Sequence, residues 1–230
     1  VRTLSIDAIR QRLQTIHRHG IQNVRVLDRT FNFNPRRAKE LLNLFLEFHP
    51  HIRFHLEIHP ALLSEELKSE LQKLPKGLLH LEAGIQSLRE PVLEKCRRLG
   101  KLSDALEGLK FLCSLDNMET HADLIAGLPL YRLNEIFEDI LSLAEYQAGE
   151  IQLESLKLLP GTEMRRRAEE LGIRYSPLPP YEVLQTHEIT TDELQVARRL
   201  SRLLDAFYNT PAWQALTREL ILKEKGFLSH

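Results

Sequence analysis

Between residues 6 and 171 the chain keeps changing its period. Segments with apolar residues three and four apart take turns with short runs that alternate apolar and polar residues one by one. Helical spacing covers 6–18, where Ile6, Ile9, Leu13 and Ile16 recur before Gly20 stops the pattern. It returns at 36–48 after the opening pair Asn34-Pro35, then at 64–74, at 92–115 with a break at Gly100, at 134–146 and at 163–171. Strand-like runs fall between them at 24–27, 52–58, 78–83, 120–125 and 151–158. A strand followed each time by a helix demands parallel pairing, because only a long crossover returns the chain to the same end of a sheet. A β/α barrel begins with a strand, whereas this series begins with a helix. The expected fold is therefore an α/β, partial TIM-type (β/α) barrel missing its first strand, over residues 1–175. After Gly172 the character changes. Ser176-Pro-Leu-Pro-Pro180 reads as a rigid extended connection, and 192–208 as one long amphipathic helix. Residues 176–230 are expected to be a C-terminal helical extension packed on the barrel.

Strands in a parallel sheet are usually apolar on both faces. These are not. In the second run Ile52, Phe54, Leu56 and Ile58 oppose Arg53, His55, Glu57 and His59. In the third, Leu79, Leu81, Ala83 and Ile85 oppose His80, Glu82, Gly84 and Gln86. In the fourth, Thr120, Ala122 and Leu124 oppose Glu119, His121 and Asp123. The helices must cover the apolar face, so the polar face should line a lumen that holds water or a polar ligand. An antiparallel sheet with one wet face is the alternative, and the helical segment between each pair of runs argues against it. At least one of His55, His59, His80 and His121 should pair with a carboxylate from Glu57, Glu82, Glu119 or Asp123. His49, His51, His55 and His59 would spread over about 13 Å of extended chain, a poor match to a compact tetrahedral zinc site.

The bulk properties narrow the classes further. The 230 residues carry 31 Lys and Arg against 32 Asp and Glu, so there is no basic footprint for nucleic acid. Apolar runs are too short to span a bilayer, and the charged, amphipathic start is unlike a secretory signal. A cytoplasmic location is expected. Cys96 and Cys113 make neither a disulfide framework nor a four-ligand metal site. Neither a nucleophile elbow nor a phosphate loop occurs, which disfavours an unrelated hydrolase or transferase. The first residue is Val rather than Met, the expectation being a fragment.

Several segments, in order and spacing, carry a family resemblance. They are His80-Leu-Glu-Ala-Gly-Ile-Gln-Ser87 followed by Arg98, then Ala122-Asp-Leu-Ile-Ala-Gly-Leu-Pro129. Together they resemble the radical S-adenosylmethionine barrel, in its elongator-like and coproporphyrinogen-oxidase-like members. Asp28-Arg-Thr-Phe-Asn32, Phe54-His-Leu-Glu-Ile58, Leu156-Lys-Leu-Leu-Pro-Gly-Thr162 and Pro179-Pro-Tyr-Glu182 resemble a cobalamin-domain Fe–S oxidoreductase subfamily of the magnesium-protoporphyrin monomethyl ester oxidative cyclase type. The resemblance runs from about residue 6 to residue 213.

It implies two cofactors, S-adenosylmethionine and a [4Fe–4S] cluster, the latter on three cysteines spaced CxxxCxxC after the first strand. It leaves room for cobalamin in an upstream domain. An electron from the cluster, supplied by a reductant such as flavodoxin or ferredoxin, cleaves S-adenosylmethionine to a 5′-deoxyadenosyl radical, which attacks a small-molecule substrate that this sequence does not identify. By the same resemblance Glu57 and Gln86 contact the ribose and methionine parts, and Arg98 pairs with the cofactor carboxylate. Asp123 faces the site, Asp28 and Thr30 stand where relatives bind the amino group, and Glu82 is a further contact. Gly127-Leu-Pro129 shapes the loop beside the adenine. Blander roles stand beside these: Arg98 as a solvated helix residue, Asp28 as a turn cap, Glu82 as a histidine partner, and Gln86-Ser87 as a cap for the next helix.

The departure is equally plain, since no CxxxCxxC occurs in these residues. One expectation is a truncated Fe–S oxidoreductase, inactive by itself. Another is a cysteine-less barrel acting as a binding module. A sheet without its first strand would expose an edge that invites a dimer or a covering helix.

Overall fold

The computed structural model describes residues 3–28, 30–98 and 100–228. Its strands β1 (Asn23–Arg25), β2 (Arg53–Ile58), β3 (Leu79–Gln86), β4 (Glu119–Ala126) and β5 (Glu150–Ser155) run in that order in one sheet. The pairs β1–β2, β2–β3 and β4–β5 are parallel. Helices α1 (Ile6–Arg18), α2 (Pro35–Leu46), α3 (Glu65–Lys73), α4 (Glu90–Lys95), α5 (Leu102–Cys113) and α6 (Leu133–Glu145) precede or separate them. This is the sequential order of a partial (β/α) barrel, as the alternating periods require. The chain divides into two compact units, Val1–Gly84 with Ser103–Thr120, and Ile85–Leu102 with His121–His230.

In the first unit, local chemistry sets the helix ends. Ser5 accepts from the Ala8 amide, Asn34 from Arg37 ahead of Pro35, and Ser64 from Leu67. Between these caps the apolar stripes bury Leu13, Leu41, Leu42, Phe45, Leu67 and Leu71. The strands bury Phe54, Leu56, Leu79 and Leu81. The Phe45 and Phe54 rings stack at 4.0 Å between centroids, locking α2 onto β2. Asn32, 1% exposed, uses its amide as a strand partner. Its Nδ2 donates to the His59 carbonyl and its Oδ1 accepts from the His59 amide, each at 2.9 Å.

In the second unit the central feature is Asp139 on α6, with a side chain 1% exposed. Its carboxylate accepts from the Leu88 amide at 2.7 Å, Arg89 Nε at 2.8 Å and the Tyr131 hydroxyl at 2.5 Å. Ser87, fully buried, donates to it at 3.4 Å. Burial raises the Asp139 pKa, and the bonds from Tyr131, Leu88 and Arg89 oppose that rise. Further on, α7 (Glu163–Arg166) is a single turn, shorter than the 163–171 helix that the spacing predicts. Segment 176–180 is not a plain extended connection. It forms the turn of an antiparallel pair, β6 (Arg174–Tyr175) with β7 (Val183–Gln185).

The long helix expected over 192–208 is α8 (Thr191–Leu203) followed by a π-helical turn, Leu204–Tyr208. The extra residue in that turn brings Tyr208 inward, fully buried, and leaves Phe207 46% exposed. Tyr208 then donates to the Ala148 carbonyl at 2.8 Å. Asn209 follows, pairing with both the amide and carbonyl of Ile151 at 2.9 and 3.0 Å. A last helix, α9 (Pro211–Leu228), follows. No described helix is long and apolar enough to cross a membrane.

Two stability predictions follow from contacts within the units. At Gly108 on α5 an added Cβ would lie 2.1 Å from the Pro60 carbonyl oxygen. Gly108→Ala should therefore lose about 1–3 kcal/mol in urea unfolding, although Ala is ordinarily the better helix former. Asp139→Ala leaves the buried Tyr131 hydroxyl, the part-buried Leu88 amide and the Nε of Arg89 without their acceptor, while Arg89 keeps its bond to Glu138. It should cost about 3 kcal/mol in the same measurement.

Candidate functional site

Parallel register stacks the polar residues of the first unit in rows. His55 stands opposite His80, and Glu57 opposite Glu82, one row nearer the C-terminal ends of the strands. The two imidazoles stack at 4.6 Å between centroids with 22° between planes. Two carboxylates face to face repel and need countercharge. Glu82 receives it, accepting from Arg25 at 2.5 Å and pairing with His55 Nε2 at 2.7 Å. Arg53 lies 2.9 Å from His80 Nδ1 and also bridges to Glu119, which is 3.3 Å from His80. A cavity of ≈ 440 Å³ lies against this face, bordered by Arg25, Arg53, His55, His80 and Glu119. The polar face of these strands thus meets open space and a charged network, as the alternation predicts.

The named residues of this unit have different fates. Glu57 is half-buried on the polar face near the end of β2. Glu82 is engaged by Arg25 and His55, the histidine-partner role. Asp28 is exposed and its Oδ1 accepts from the Thr30 amide at 3.4 Å, so it caps a local turn. Thr30 precedes a short 3₁₀ turn, Phe31–Phe33, without a side-chain cap bond to it. His59 lies just past the strand, buried at 5% exposure.

In the second unit, Gln86 ends β3 with φ +69°, a left-handed conformation that an L side chain adopts at a cost of about 1 kcal/mol. The Asp139 bonds to the next three residues hold that turn. Arg98, in the turn after α4, is half-buried. Burial lowers its guanidinium pKa, and the Asp123 carboxylate pushes it back up. Asp123, 17% exposed on β4, is also 3.3 Å from His121 Nε2, and His121 Nδ1 lies 3.7 Å from Glu150. The strand alternation and the distant turn residue thereby meet: Arg98 and Asp123 share one electrostatic environment. Gly127 takes φ +90° after β4, and a Cβ there would press 3.3 Å from Val183. Of the blander readings, a solvated Arg98 is set aside by its burial. The Gln86-Ser87 pair does not cap α4, whose N-cap is Arg89 without a side-chain bond; Ser87 accepts from the Arg89 amide at 3.1 Å, ahead of the helix.

Sequence reasoning missed Asp139, Tyr131 and Asn32 as positioning residues. A lone Asp inside an apolar helix stripe was the available signal for the first.

A cluster needs thiolates. Cys96 caps the end of α4, and burial raises its thiol pKa to about 11, so it stays protonated near neutrality. Cys113 ends α5 in the other unit. These two cysteines do not fit a [4Fe–4S] cluster. In the second unit the cation Arg98 and the anion Asp123 are the charge types that an amino-acid zwitterion requires.

Comparison with known proteins agrees with the fold. Residues 169–226 match a family described only as a protein of unknown function (DUF4080). No curated protein matches the sequence. Among solved structures, the radical S-adenosylmethionine methyltransferase TsrM from Kitasatospora setae, with cobalamin and a [4Fe–4S] cluster bound, is 17% identical with a TM-score of 0.62. The alignment covers 82% of this chain and 40% of that one. Escherichia coli coproporphyrinogen III oxidase, HemN, is 16% identical with a TM-score of 0.58, covering 87% of this chain and 45% of its own. Elp3 of Methanocaldococcus infernus is 16% identical at a TM-score of 0.52, over 70% of this chain and 44% of that one. The chain thus spans less than half the length of these structures, and what the likeness shows is the fold, a partial TIM-type barrel. Residues 1–144 match the radical SAM superfamily model, more than half of the chain, and the protein belongs to that superfamily.

Proposed function

We propose that this chain is the S-adenosylmethionine-binding barrel of a radical S-adenosylmethionine oxidoreductase, with its [4Fe–4S] cluster held by cysteines outside these 230 residues. The observation that carries this reading is the half-buried Arg98 beside Asp123. A desolvated guanidinium next to a carboxylate complements a zwitterion, with Arg98 taking the cofactor carboxylate and Asp123 its ammonium. Gln86, in the same unit, would contact the ribose or methionine part. The strained Gln86 supports this, because such conformations persist where the surroundings enforce them, often at sites. When bound beside a reduced cluster, S-adenosylmethionine supplies a 5′-deoxyadenosyl radical. The residues here bind, orient and exclude water; no step of cluster chemistry is assigned to them.

In this reading residues 1–175 are the barrel and 176–230 an extension packed on it. The parent enzyme takes electrons from flavodoxin or ferredoxin in the cytoplasm. A cobalamin domain and an oxidative-cyclase-like reaction are the finer parts of the proposal, supported by the motif resemblance and by the cobalamin in the TsrM structure. An exposed sheet edge would favour a dimer.

The isolated chain should bind S-adenosylmethionine saturably in calorimetry, and Arg98→Gln should weaken binding about 10- to 100-fold with unchanged circular dichroism. Absence of binding by the unaltered chain would sink the proposal. Anaerobic reconstitution with iron and sulfide, followed by reduction with dithionite, should yield no stoichiometric cubane signal by electron paramagnetic resonance. Such a signal, ligated by Cys96 or Cys113, would overturn the assignment of the cluster to other cysteines.

A further inference from the structure

A second cavity, of ≈ 200 Å³, lies in the second unit where β4 and β5 end. Ala126 and Ser155 form its floor, and α8 forms its wall through Arg198, Ser201 and Arg202. Lys157 and Glu182 complete it. Ala126 shares the face of Ala122 and Leu124, and Ser155 that of Ile151 and Leu153, the sides of these strands that are buried. The cavity therefore opens between the helix-facing side of the strands and α8.

Its charges do not cancel. Lys157 is 3.6 Å from Glu154, and Arg198 Nη2 donates to Glu182 at 3.0 Å. Arg202, also on the wall, has no ion-pair partner among the described residues. Three cations thus meet two carboxylates, both already engaged.

Two further features make this arrangement unfavourable as it stands. Arg198 and Arg202 are one helical turn apart, so like charges repel along the same face of α8. The Arg198 Nε is buried and finds no acceptor, although its side chain as a whole is 34% exposed. A guanidinium presents its N–H groups as a planar fork, and Glu182 occupies only one prong. Leaving a buried N–H without an acceptor is costly.

An anion with two or more oxygens standing between Arg198 and Arg202 would remove the repulsion, accepting from their terminal guanidinium N–H groups rather than from the occluded Arg198 Nε. We propose that this cavity is a binding site for the oxyanion of a small molecule, a carboxylate or a phosphoryl group. Ser155 and Ser201 supply hydroxyls around it, which suits a hydrated or multiply oxygenated anion better than halide. The volume admits such a group together with several waters or a small further part of the ligand.

The test uses the 230-residue chain with ¹⁵N-labelled arginine. The Nε–H resonance of Arg198 is assigned by its loss in Arg198→Lys. Inorganic phosphate and acetate are then titrated separately at ionic strength fixed with sodium chloride. The proposal expects a saturable shift of that resonance with at least one of the two probes, the stronger identifying the headgroup. It also expects Arg202→Gln, a change at an exposed position, to weaken the effect about 10-fold. Circular dichroism confirms that the variant is folded. If neither probe produces a saturable shift, or if the shift is the same in Arg202→Gln, the site does not exist as described. Binding of S-adenosylmethionine is measured separately, so this outcome and the cofactor reading stand or fall independently.

Discussion

A strand enclosed between crossover helices must hide one face, and residue-by-residue alternation decides which. In β2 and β3 that rule sends Phe54, Leu56, Leu79 and Leu81 to the helices and leaves His55, Glu57, His80 and Glu82 on the other side. Parallel register then dictates what these residues meet. Imidazole falls opposite imidazole and carboxylate opposite carboxylate. The first pairing is met by stacking, the second by importing Arg25 and His55 to Glu82. The polar network is thus a consequence of register. Shifting one strand by a single residue would turn its charges into the apolar layer. The same register leaves Glu57, nearer the strand ends, as the carboxylate of that row not drawn into the Arg25 pairing.

What the strands cannot do alone is hold the turns beyond their ends. Asp139 supplies this where β3 stops. By gathering the Leu88 amide, Arg89 and Tyr131 it fixes the residues that follow Gln86 and makes the left-handed turn there tolerable. Asparagine does comparable work twice. Asn32 pairs with the His59 backbone and Asn209 with that of Ile151, each amide standing in for a neighbouring strand. These side chains satisfy backbone groups that would otherwise be buried without partners.

The parts of this fold governed by period were readable from the residues. Helix α1 matches its apolar spacing end to end, and β3 carries the predicted faces over a longer span, Leu79–Gln86. Elements governed by one inserted residue or by a turn were not. The π turn before Tyr208 breaks a stripe that looks continuous in sequence, because Phe207 and Tyr208 are interchangeable until the backbone chooses. The hairpin around 176–182 was hidden by its prolines, which signal extension equally well in a linker and in a turn. At the candidate site, strand residues such as Glu57 and Asp123 were legible by alternation. The environment of Arg98 was not, since a turn residue has no period, and only the family resemblance marked it.

In the turn after α4 one physical cause has two different chemical consequences. Cys96 and Arg98 stand two positions apart, and burial acts on both. On a thiol, desolvation disfavours the anion, so Cys96 is pushed up to about 11 and is a poor thiolate donor. On a guanidinium, desolvation disfavours the cation, but its ordinary pKa is so high that the group has far to fall before it loses its charge near neutrality. Arg98 therefore remains charged while stripped of part of its water. A charge in that condition gains more from an incoming carboxylate than one in bulk solvent, because less hydration is surrendered on binding. Asp123 stabilises the guanidinium meanwhile. The burial that silences the thiol is the same physical cause that leaves the guanidinium charged but partly stripped of its water.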